Sequence, residues 1–108
     1  MTDEVPDIDI TAEQWAIVKD ILLRHVPQYT VWAFGSRARR TAKPYSDLDL
    51  AIVTDHPLSL DARAALADCF SESALPWKVD IVDWAATSEP FRKIIEQHKV
   101  IVLPASVK

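Results

Sequence analysis

Apolar and polar positions follow two periods along the chain, and the switches between them mark its elements. Over residues 11–26, Trp15, Val18, Leu22 and Val26 fall on one face at helical spacing, widened by Ile17 and Ile21. Thr11 and Gln14 stand at capping-box spacing, Glu13 lies in the first turn, and Pro27 closes the helix. Residues 31–34 are short, apolar and β-prone, which predicts a buried strand. After Gly35-Ser36 the pattern predicts a short helix over 37–42 and a turn at Lys43-Pro44-Tyr45-Ser46. Residues 47–53 are acidic at the start and almost continuously apolar beyond, as in a central strand covered on both faces. A loop at 54–57 leads to a second long helix over 61–72, with an apolar stripe at Ala62, Ala65, Leu66, Cys69 and Phe70. A third strand over 78–84 follows. The last helix, over 88–98, carries Pro90 in its first turn and is expected to turn Phe91, Ile94 and Ile95 inward. Residues 100–103 predict a short edge strand. Residues 1–10 hold Asp3, Glu4, Asp7 and Asp9 and no base, which predicts a loose acidic lead-in ahead of one domain over 11–108. The alternating order suggests an α+β fold: a small sheet with helices packed mainly against one face.

Composition narrows the picture. A chain of 108 residues is about one domain, and 49% apolar residues exclude a disordered one. A net charge of −4 and a pI near 5.2 argue against binding nucleic acid by bulk positive charge. One cysteine, Cys69, excludes an internal disulfide framework and suits a reducing compartment. No apolar run is long enough to span a membrane, and the acidic start lacks the features of a secretory signal, so the expected location is cytoplasmic. The single glycine, Gly35, excludes phosphate loops built on several glycines.

The chemistry concentrates at strand ends. Asp47 and Asp49 are two apart at the start of a strand, so they project from the same face. Paired carboxylates repel, and a hard divalent cation such as Mg²⁺ relieves that repulsion. Asp80, on a neighbouring strand, is the expected third oxygen ligand. Asp83 lies three residues on and faces the opposite way, where it caps or is solvated. Gly35, with no Cβ, lets the backbone approach a phosphate, and Ser36 adds a hydroxyl that also suits a helix N-cap. Arg37, Arg39, Arg40 and Lys43 reverse the sign of the charge locally, which fits a polyphosphate. Arg37 is expected at the nucleotide; Arg39 and Arg40 are the candidates for a partner contact. The three histidines lack metal-ligand spacing, and Cys69 reads as core.

Gly35-Ser36, ten intervening residues and then Asp47-Leu48-Asp49 resemble the signature of polymerase-beta-like nucleotidyltransferases. The stretch Phe34-Gly35-Ser36-Arg37-Ala38-Arg39 resembles their minimal branch, the MNT domains. The resemblance runs from the first helix to Leu103. It implies a mixed-sheet nucleotidyltransferase fold, two Mg²⁺ ions held by Asp47, Asp49 and Asp80, and triphosphate contacts from Gly35 and Ser36. It also implies ATP as substrate and a HEPN-domain toxin as partner, neutralised by transfer of AMP to one of its tyrosines. Two departures stand out. Arg40 occupies a position that is often glycine in the family, and Gln97-His98-Lys99 replaces an Arg-Glu-Gly-like stretch. Two other readings compete: a binding module that masks a toxin without transfer, and nucleotidyl transfer to a small molecule or an RNA end.

Overall fold

The computed structural model describes residues 5–105. Helix α1 runs Ala12–His25, and its start is set locally: the Thr11 hydroxyl accepts from the Gln14 N–H at 3.1 Å, and the Gln14 side chain accepts from the Thr11 N–H at 3.0 Å. Strand β1 (Thr30–Phe34) leads directly into a four-residue helix, α2 (Gly35–Ala38). Strand β2 is Leu48–Val53, helix α3 is Leu60–Ser71, and strand β3 is Val79–Asp83. A short 3₁₀ turn at Trp84–Ala86 connects to helix α4 (Glu89–His98) and strand β4 (Val100–Leu103).

The strands form one mixed sheet in the order β3-β2-β1-β4. β1 pairs antiparallel with β2 and β4, whereas β2 and β3 are parallel. Alternation along β2 divides its side chains between two layers. Leu48, Leu50 and Ile52 are fully buried in the larger core with Trp15, Val18 and Leu22 of α1 and with Leu66 and Phe70 of α3. Ala51 faces the opposite way, into a small cluster with Phe34 and Ile95 of α4, flanked by Trp32, Val82 and Trp84. Two helices therefore cover one face, and α4 alone covers part of the other. The four tryptophans split the same way, Trp15 and Trp77 in the larger core and Trp32 and Trp84 beside α4.

Several details differ from the sequence pattern. Residues 7–10 are not loose: Ile8 is buried in the core and Ile10 packs against it. Helix α2 takes in Gly35 and Ser36 and stops at Ala38 instead of running to 42. It stops because Arg40 adopts a left-handed φ of 65° and closes a Schellman motif, with Thr41 N–H donating to Ser36 O at 3.0 Å. Ser36 is not the N-cap; Phe34 holds that position. Ala65 is exposed, as are Phe91 and Ile94, so α4 is anchored on Ile95 alone as a fully buried residue. β3 ends at Asp83, where Thr87 Oγ1 donates to the Asp83 carbonyl and turns the chain into the 3₁₀ segment.

Candidate active site

Register brings the separate pieces together. Asp49 stands opposite Phe34 on one side and opposite Asp80 on the other. Gly35 follows Phe34, so it lies against the Asp49 carboxylate. A Cβ at Gly35 would collide with Asp49 Oδ2, and the residue's φ of +78° independently favours glycine. The chain's one glycine is thus required twice at the same place. No side chain caps α2, so N–H groups at its first turn remain available to an anion beside Ser36.

The parallel register sets Asp49 directly beside Asp80. Asp49 is half-buried and Asp80 exposed, and a side-chain hydrogen bond joins them. Asp47 is exposed, one residue before β2, and near enough to act on Asp49 electrostatically. Burial pushes the Asp49 carboxyl up to about 6, helped by the negative charges of Asp80 and Asp47 and by the bond to Asp80. No three acidic, histidine or cysteine side chains among the described residues already enclose a common ion position. The raised Asp49 carboxyl reflects burial and negative charge crowded at this point. The donors are all hard oxygens, and a divalent cation would offset their mutual repulsion, so the set fits Mg²⁺ chemically.

Asp83 points away from this group. It is buried and accepts from the Thr54 hydroxyl and from the Leu58 N–H at 2.6 Å, which ties the β2–α3 loop to β3.

Arg37 is where sequence reasoning and structure part. It is only 5% exposed, and its guanidinium is turned inward to main-chain carbonyls. It donates to Asp9 O at 2.7 Å, Ser46 O at 2.9 Å and Pro44 O at 3.1 Å, and it lies over the Trp77 ring at 4.4 Å. A buried guanidinium needs this many acceptors, and all of these partners are groups of the protein itself. Burial lowers its pKa, opposed by the charges of Asp9 and Asp47. Arg40 is also occupied, pairing with Asp7 at 2.7 Å and Asp9 at 3.1 Å. The contributions of Ile8 and Asp9 were missed; the signal was there in the Ile8-Asp9-Ile10 alternation.

A model of the family described as polymerase beta, nucleotidyltransferase, matches residues 17–106. The chain is also 58% identical over 95 residues to a probable protein adenylyltransferase, MntA, of Haemophilus influenzae, covering 88% of this chain and 83% of that protein. The chain belongs to the polymerase beta nucleotidyltransferase family. Solved structures share this fold. A toxin–antitoxin structure with AMP-PNP superimposes with a TM-score of 0.71 at 25% identity, covering 85% of this chain and 74% of that one. An MNT antitoxin in complex with a tri-AMPylated HEPN toxin of Shewanella oneidensis superimposes at 0.63 and 23% identity, covering 83% of this chain and 69% of that one; at this identity it speaks for the fold. The nucleotidyltransferase sheet with its helices is as anticipated. Among the described residues no helix is long and apolar enough to cross a membrane.

Proposed function

We propose that this nucleotidyltransferase moves AMP from ATP to a hydroxyl of a partner protein, with Mg²⁺, and that the partner is a HEPN-type ribonuclease toxin which it neutralises as an antitoxin in the cytoplasm. The observation that carries this reading is the register that sets Gly35, Asp49 and Asp80 side by side. The probable adenylyltransferase at 58% identity supports the reaction, and the solved toxin–antitoxin relatives support the kind of partner.

In this mechanism Gly35 and Ser36 hold the triphosphate, and Asp47, Asp49 and Asp80 are the ligands for two Mg²⁺ ions. When bound, the ions supply charge neutralisation on the triphosphate and acidify the attacking hydroxyl. Asp80 is the most exposed end of the Asp49–Asp80 pair, on an edge strand, and is the residue an incoming acceptor meets first. Its carboxylate orients that hydroxyl and helps to draw off its proton. The hydroxyl oxygen bonds to the α-phosphorus as the bond to the β-phosphate oxygen breaks, and pyrophosphate leaves. The protein's share is mainly placement. Arg37 serves the nucleotide from beneath, by holding the loop that ends at Asp47.

The test is to incubate the protein with its partner toxin, Mg²⁺ and ATP labelled at the α-phosphate. The toxin becomes labelled and loses ribonuclease activity, and D47N/D49N stops both. A D47N/D49N protein that still silences the toxin at equal stoichiometry would establish masking without transfer. Label appearing on RNA or on a small hydroxyl compound, but not on the toxin, would move the acceptor to that class.

A further inference from the structure

The acidic segment before α1 is built into the catalytic end of the molecule. Ile8 is 3% exposed and anchors it in the core. On either side of that anchor the chain grips the connection between α2 and β2. Asp9 N–H donates to Arg37 O at 2.9 Å, while the Arg37 side chain donates back to Asp9 O at 2.7 Å. One Asp9 carboxylate oxygen accepts from the Ala42 N–H at 3.1 Å, and the other pairs with Arg40 at 3.1 Å. Asp7 takes the remaining end of Arg40. The same Arg37 guanidinium binds the carbonyls of Pro44 and Ser46, and Ser46 Oγ accepts from Lys43 N–H at 2.9 Å. The connection is thus held along its length up to the residue before Asp47.

This network also explains Arg40. Left-handed φ is strained for a non-glycine residue, and here the Arg40 side chain supplies ion pairs to Asp7 and Asp9 that glycine could not.

We infer that residues 7–10 form a positioning strap for nucleotidyl transfer: Asp9, through Ala42, Arg37 and Arg40, sets the loop that delivers Asp47 to its place among the carboxylates. Asp9 is a positioning residue and touches neither nucleotide nor acceptor. The inference rests on the proposed role of Asp47 as a metal ligand. It follows that the strap tunes cation affinity from outside the ligand set, as residues that orient metal ligands do.

The test measures binding, not turnover. Mn²⁺ is titrated by electron paramagnetic resonance into the full chain with a non-hydrolysable ATP analogue, and amide hydrogen exchange is followed in parallel. D9A is expected to weaken Mn²⁺ binding about ten-fold. D9N, whose carbonyl still accepts from Ala42, weakens it less. Exchange quickens over residues 42–48 while the amides of α1 and α3 stay protected. L66A, which opens a cavity in the larger core and removes none of the hydrogen bonds or ion pairs of Asp9, serves as the control for general destabilisation. Wild-type Mn²⁺ affinity in D9A overturns the inference, and so does an equal loss of affinity in L66A. If D9A does not fold, D9N decides by the same criterion, and unchanged affinity there overturns it. D47N is run alongside: if it binds Mn²⁺ as tightly as wild type, the ligand role of Asp47 has failed, and the strap's effect on the cation falls with it.

Discussion

Gly35 carries more constraint than any other residue in the chain. Its left-handed φ and its contact with the Asp49 carboxylate act together, so G35A both strains the backbone by about 1–2 kcal/mol and displaces a proposed ligand. A shift of about 1 Å at reacting groups can cost about 100-fold in rate, so G35A should lose at least that much AMP transfer while remaining folded by circular dichroism. Asp49 makes a second prediction. Its carboxyl, raised to about 6, holds a proton more tightly in the folded chain than in the unfolded one. That contribution to stability is fully present below the unfolded carboxylate value and is lost as pH rises through about 6. Metal-free protein should therefore melt higher at about pH 5 than at about pH 7.5, and D49N should flatten its share of that difference in paired thermal scans. In the presence of the ATP analogue the order reverses for Mn²⁺, which must displace the proton and so binds more weakly as pH falls below about 6.

Among the elements, β3 carries two aspartates three residues apart and turns them to opposite faces of the sheet. Asp80 faces the carboxylate group, whereas Asp83 is buried under the β2–α3 loop. D83A would strand the Thr54 hydroxyl and the Leu58 N–H, at about 1–3 kcal/mol for each unsatisfied buried group, or several degrees of melting temperature in a domain this size. D80A should leave the melting temperature nearly unchanged and abolish labelling of the partner; the reverse pattern would exchange their roles. This distinction was legible beforehand because strand alternation is local and strict. The start of α1 was legible for the same reason, since the capping box is made by residues three apart. Facts set by distant packing were not. Phe91 and Ile94 have helical spacing, yet the patch that α4 covers is only wide enough to bury Ile95. Arg37 sits in a run of bases that reads as an anion site, and only the fold reveals that four of its bonds go to carbonyls of Asp9, Lys43, Pro44 and Ser46.

Over the whole molecule, charge is distributed so that half of the basic run is consumed within the fold. Of Arg37, Arg39, Arg40 and Lys43, the first is buried among carbonyls and the third is paired with Asp7 and Asp9. With a net charge of −4 overall, the molecule as a whole does not attract phosphates by bulk charge. Fluorescence anisotropy with labelled duplex DNA or single-stranded RNA at about 0.15 M salt should show binding no tighter than about 10⁻⁴ M, the weak end of non-specific association. Micromolar binding would revive an RNA end as acceptor.

The sheet order has a bearing on how the molecule comes into being. Strand β4 zips onto β1, and Ala105 N–H reaches the Thr30 hydroxyl across 75 positions of sequence. On the ribosome, one flank of β1 therefore stays bare until residue 105 has cleared the exit tunnel. A nascent chain halted earlier holds β1, β2 and β3, with Gly35 and the aspartates, but lacks the strand that covers the outer flank of β1. The last pairing in the sheet is thus also the one that joins the most distant parts of the chain.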